Sequence, residues 1–298
     1  MNKTLGRLAA LVGAIFCIGL AASQTRAFEV AQDATNLTFT AGGKPMLVYR
    51  HAGYPFKPYA AQLWTPGGVA VLRDSPHDHK HHHALMFAVS ADGVSFWEET
   101  AKGGFQIERH LTTSADGLTQ QLDWQTPASN IVLKETRTLK LHACPGATLL
   151  SWRTKLETPP GRDAIELTGH HYYGLGARFL QCMDGLGTFQ NATRKLGEVV
   201  RGDERLVPAH WACFSAATEG KTITFAIFDH PENPRHPNKM FSMAKPFGYL
   251  SDTLNLWKEP LTVKAGTPLD LRYGVALLDG PADAAQLEKL YRQWLGFP

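Results

Sequence analysis

Between residues 73 and 83 the chain reads RDSPHDHKHHH, which places five of its 13 histidines within seven residues, just behind an Arg-Asp pair. Imidazoles at this density fit three chemistries: holding a metal ion, moving protons to and from a ligand, or solvating a basic loop. On an extended backbone side chains alternate, so His77, His79, His81 and His83 are expected to share one face. His79 and His81 then form a His-x-His pair able to converge on one divalent transition metal such as zinc, with His77 as a third donor. Imidazole suits copper and iron as well, so ligand type does not select the element. The run leads directly into ALMFAVS (84–90), an apolar stretch that reads as a buried strand. This places His82 and His83 at the mouth of the core.

Other segments carry matching chemistry. GHHYYG (169–174) holds His170, His171 and Tyr172, with Arg178 just beyond; neighbours on a strand point opposite ways, so one of the two histidines is expected to face a pocket. FWEE (96–99) sets Trp97 beside Glu98, and NLWKEP (255–260) sets Trp257 near Glu259. Aromatic rings stack on the C–H faces of a sugar while carboxylates bind its hydroxyls, so both pairs suit a carbohydrate. No nucleophile elbow, phosphate-binding loop, dinucleotide fingerprint or His-Glu-x-x-His motif is present.

These residues have to be positioned by something, and the rest of the sequence says what. Period-two alternation broken by Gly, Pro and Asp-Gly dominates. Hairpins are expected at 36–50, at 110–126 around Asp116-Gly117, and at 131–158 around Cys144-Pro145-Gly146. Further strands are expected at 221–230, 259–265 and 269–280. Only the tail is helical: Leu287, Leu290, Tyr291 and Trp294 keep one face. The expected fold is all-β, a large antiparallel β-sandwich with a short C-terminal helix, formed as one domain over 28–298.

The first 27 residues read as a secretory signal: Lys3 and Arg7, an apolar core from Leu8 to Ala22, and cleavage after Ala27. A periplasmic or secreted mature chain follows. Lys3, Arg7 and Arg26 leave with the signal and no acid does, which takes the formal charge of +3 to zero. A nucleic-acid partner is therefore not expected, and no later stretch is apolar enough for a membrane span. Cys144, Cys182 and Cys213 remain, an odd set without CxxC spacing that reads as three buried thiols.

From RDSPHDHKHHH through FWEE, and again over GHHYYGLGARF, FAIFDHPENPRHP and AGTPLDLRYGVALLDG, the chain resembles an exported bacterial family carrying the label methane oxygenase PmoA. The oxygenase of that label is a multi-helix membrane protein, unlike this chain. The order of pieces also resembles galactose-mutarotase-type proteins, large β-supersandwiches. That resemblance implies Arg73 and the His81–His83 run in the early places, His170 and His171 in the middle, and Glu259 in the late place. It further implies sugar chemistry in which a His protonates the ring oxygen and a Glu removes the anomeric proton. Three functions are carried forward: a sugar-processing enzyme using Arg73, His170, His171 and Glu259, a metal-dependent lyase, hydrolase or oxidase using the 77–83 histidines, and a non-catalytic carbohydrate-binding protein.

Overall fold

The computed structural model describes residues 27–297; the expected signal, but for Ala27, lies outside them. Among the described residues the strands form three antiparallel sheets of ten, eight and four strands. The eight-stranded sheet is built on three long hairpins, two of them expected from the sequence and the third formed by the expected 221–230 strand with a strand before it. Phe105–Ser114 pairs with Gly117–Gln125, Ile131–His142 with Ala147–Glu157, and Trp211–Thr218 with Lys221–Asp229. Leu269–Asp279 joins the two halves, bonding to Ala147–Glu157 on one side and Lys221–Asp229 on the other.

The ten-stranded sheet brings together segments distant in sequence. Its centre runs in the order Leu85–Ala88, Gly174–Arg178, Tyr249–Thr253, Lys239–Met243, Arg205–Pro208. The two large sheets pack face to face, with Phe87 against Trp124 and Tyr273, Tyr49 against Trp152, and Phe179 against Phe225. Burial of these rings is the main source of stability, since aromatic side chains remove the most apolar surface from water. The Ala284–Leu295 helix covers the outer face of the eight-stranded sheet, burying Leu287, Leu290, Tyr291 and Trp294 against Leu149, Trp211 and Phe228. Asp283 caps it by accepting from Gln286 N at 2.8 Å.

Alternation on the ten-stranded sheet decides what faces the site. Leu250 and Asp252 point into the sandwich, so Tyr249 and Ser251 point outward, as do their register partners Arg178 and Phe241. The outward face of the central strands is therefore lined with polar and aromatic groups. The thiol expectation is corrected in part: all three cysteines are free, but Cys182 is exposed and Cys144 half-buried, and only Cys213 is buried. No helix among the described residues is long and apolar enough to cross a membrane.

Candidate active site

The histidine run is not a strand. His79 N donates to Pro76 O (3.0 Å) and His82 N to His79 O (2.9 Å), so residues 76–82 fold into successive turns. Asp74 and His83 pair across the mouth of this loop, and Ser75 N donates to His82 O, which closes it. The expected single face of His77, His79, His81 and His83 does not form, because turns break the period of two. His77 is exposed. His79, His81 and His82 gather instead, with ring centroids 4.7 Å apart for His79–His82 and 4.6 Å for His81–His82.

These three rings form one wall of a cavity of about 480 Å³ on the outward face of the ten-stranded sheet. Its apolar lining is Tyr172, Phe241, Phe247 and Tyr249, and its charged lining is Glu98, Arg201, Asp203, Glu204 and Lys245. His81 Nε2 lies 3.8 Å from Glu98 Oε2, whose side chain is about one-third exposed. Burial pulls the pKa of His81 down, against the opposing pull of Glu98. His82, more deeply buried and crowded by His81, His79 and Arg178, is pushed down to about 2 and stays uncharged near neutrality. Glu204, also on the lining, lies 3.0 Å through Oε2 from His171 Nε2 and accepts from Arg201 Nη2 at 2.7 Å through Oε1. Burial lowers the pKa of His171, and Glu204 partly restores it.

His83 turns away from its neighbours into a buried polar network. Its Nδ1 lies 2.7 Å from Asp74 Oδ1 and its Nε2 2.9 Å from Glu99 Oε1, both within hydrogen-bonding distance. Glu99 also accepts from Lys57 Nζ (2.6 Å) and from the Tyr54 hydroxyl. Burial raises the Glu99 carboxyl, but the bonds from His83 and Lys57 outweigh it and hold the group at about 2. The network ties the histidine loop to the segment that presents Glu98.

Of the residues singled out in the sequence, the cavity gathers His79, His81, His82, Glu98 and Tyr172. His171 stands behind Glu204, while His170 is exposed and stacked on Tyr172. Trp97 lies beneath the site, fully buried and stacked on Tyr173 at 4.7 Å. Arg73 and Arg178 sit outside the cavity lining, around Asp184 (3.8 and 3.6 Å), with the Arg178 guanidinium 3.5 Å over the Phe247 ring. Glu259 is not brought in. Its carboxylate is 61% exposed on a loop where Asn255 Nδ2 donates to it at 3.1 Å, so the late place implied by the mutarotase resemblance is empty of a cavity residue. The metal expectation also finds no support in the donor geometry. Among the described residues no three His, Cys, Asp or Glu side chains are disposed to hold an ion.

The walls supplied by Arg201, Glu204, Phe241, Lys245, Phe247 and Tyr249 were not singled out in the sequence. Phe241 and Tyr249 left a signal, as aromatics at the outward positions of strands. Arg201 and Glu204 sit in a charged turn that looks like any solvated one.

Comparison with known proteins places the chain in a family but not in a chemistry. The model of the family of unknown function DUF6807 matches residues 36–292. The chain belongs to that family. No curated protein matches the sequence. Among solved structures it is similar to an α-galactosidase from Lactobacillus brevis (7% identity, TM-score 0.46, 91% of this chain and 42% of that one). It is also similar to a galactose mutarotase related enzyme from Lactobacillus acidophilus (7%, 0.40, 85% and 97%). A third is an aldose epimerase homologue from C. elegans (6%, 0.39, 86% and 100%). The chain thus spans less than half the length of the α-galactosidase. What this DUF6807 member does has to be read from its own cavity.

Proposed function

We propose that the chain is an exported carbohydrate-active protein that binds a sugar or sugar derivative in this cavity and processes it by His/Glu acid–base chemistry. The observation that carries the reading is that one aromatic-lined cavity holds the His81–Glu98 pair and, also on its lining, Glu204, which is backed by His171. A cavity of this size accepts a monosaccharide, and rings with a few convergent polar groups are what a sugar site needs. His81, kept from charging by burial, takes a proton from a ligand hydroxyl, and Glu98 beside it stabilises the charge that develops. Glu204, fixed by Arg201 and His171, serves as the second proton-exchanging or hydroxyl-binding group. The acid–base roles implied for Glu259 pass to these cavity carboxylates.

The test is a thermal-shift screen of mono- and disaccharides on the mature chain, repeated on Glu98→Gln. A saccharide that raises the wild-type melting temperature and is turned over by wild type but not by Glu98→Gln supports the reading. Binding without turnover in either protein shifts the function to non-catalytic carbohydrate recognition. If no saccharide moves the wild-type melting temperature, the carbohydrate reading falls.

A further inference from the structure

Trp257 lies outside the cavity lining, and of the seven tryptophans, all among the described residues, it alone is exposed. A single apolar side chain on a surface asks for no explanation, but this one is held in place. Its indole N–H donates to Asn255 Oδ1 at 3.0 Å, and Asn255 Nδ2 donates to Glu259 Oε1 at 3.1 Å. The turn closes as Lys258 N and Glu259 N both donate to Asn255 O (3.2 and 3.1 Å), with Asn255 in the left-handed region at φ 56°. Arg235 clamps the same turn, donating to the carbonyls of Leu254, Glu259 and Pro260. A ring fixed in this way gives up little conformational freedom when a ligand packs on it.

The indole also stands beside the cavity. Its centroid is 5.4 Å from that of His171, and His171 is 5.1 Å from Tyr172 and 5.5 Å from Phe241, both on the lining. An aromatic path thus runs from the lining to a solvent-facing ring that is 39% exposed. Lys258 Nζ lies 4.7 Å over the indole and 3.5 Å from Glu198 Oε1, and the exposed Glu259 carboxylate follows on the same turn. These groups supply the donors and acceptors that sugar hydroxyls need around a stacking ring. The Lys258 side chain is half exposed on a flexible stem, so it can yield the face it covers without disturbing the turn.

We infer that Trp257 is the platform of an outer sugar subsite, and that the ligand is an oligosaccharide with one residue in the cavity and the next against the indole. The inference deepens the carbohydrate reading above and rests on it. A monosaccharide in the cavity leaves Trp257 in water; a second ring linked to it puts a C–H face on the indole and removes apolar surface from solvent.

Calorimetric titration of wild type with matched sugars tests the ligand length: glucose with cellobiose and maltose, galactose with galactobiose, mannose with mannobiose, xylose with xylobiose. In at least one series the disaccharide should bind about tenfold more tightly than its monosaccharide, or bind where the monosaccharide does not. Disaccharides that bind no more tightly in any series overturn the inference and leave the carbohydrate reading standing. Trp257→Ala, titrated with the pair that shows the gain, should cost the disaccharide about tenfold and the monosaccharide far less. Trp257→Phe also loses the bond to Asn255 but keeps a ring, so it should retain most of the gain. A disaccharide that binds Trp257→Ala as tightly as wild type overturns the platform. So does an equal fall for both sugars, or a loss in Trp257→Phe as large as in Trp257→Ala, since each points to a disturbed turn rather than lost stacking. If none of the sugars binds wild type, the carbohydrate reading and this inference fall together.

Discussion

His83 Nε2 stands 2.9 Å from Glu99 Oε1, and neither side chain reaches bulk water to any extent. With Lys57 on the same carboxylate oxygen and Asp74 on the far side of the imidazole, this contact joins the base of the histidine loop to the segment bearing Glu98. The pairing positions two walls of the cavity without lining it.

Removing Glu99 should therefore be costly. In Glu99→Ala the buried Lys57 and His83 lose their shared partner, and the expected loss is about 3–5 kcal/mol in a urea melt at pH 7. A loss no larger than that of an ordinary surface substitution would show that the network carries little. The pH dependence follows from the direction of the shift. The folded carboxyl is held at about 2 against an ordinary 4.5, so its contribution is complete above about 4.5 and fades as pH falls toward 2. The gap between wild type and variant should narrow from pH 5 downward, as read from melts across that range.

Asp252 should behave in the opposite sense. It is fully buried, neither carboxyl oxygen has a partner, and burial together with nearby Asp229 pushes its pKa well up. A carboxyl whose folded pKa is raised contributes stability below its ordinary 3.8 and loses it as pH climbs toward the folded value. Asp252→Asn keeps the shape and cannot ionise, so its advantage over wild type should grow between pH 4 and pH 8, reaching at least about 1 kcal/mol. A difference that does not change with pH would contradict this.

Gly176→Ala should damage the site from the inside. The added methyl meets Tyr249 Oη, so the ring has to move, at an expected cost of about 1–3 kcal/mol. Sugar binding should weaken along with stability. An alanine variant that binds and melts like wild type would mean that Tyr249 is free to shift at no cost.

Chelator treatment should leave both the melting temperature and sugar binding as they were, since no three donors are arranged for an ion among the described residues. A fall in either, restored by adding back zinc, would return the 77–83 histidines to a metal role.

Much of the scaffold could be read in the sequence, because long strands with Asp-Gly or Pro-Gly turns carry an unambiguous period. The hairpin around Asp116 closes with Ser114 opposite Gly117, and the C-terminal helix buries the four residues its spacing selects. Burial of ALMFAVS was legible for the same reason. The site was legible only by composition. His81, His82 and Glu98 were found because they are dense and chemically distinctive, but their arrangement was not, since Pro76 and the Asp74–His83 pairing turn the loop where alternation assumes extension. Glu259 illustrates the converse. A plausible neighbourhood beside Trp257 says nothing of which side of a loop faces the cavity, and here the carboxylate faces solvent. Arg201, Glu204 and Lys245 enter through long-range sheet pairing, which no local pattern encodes.

The most direct test of the central claim is a crystal structure of residues 28–298 grown or soaked with the tightest-binding sugar. The account predicts ring density inside the cavity, against Tyr172 and Phe241, with a hydroxyl near the His81–Glu98 pair. Sugar density confined to another surface, such as the groove beside the start of the C-terminal helix, with this cavity holding none, would contradict it.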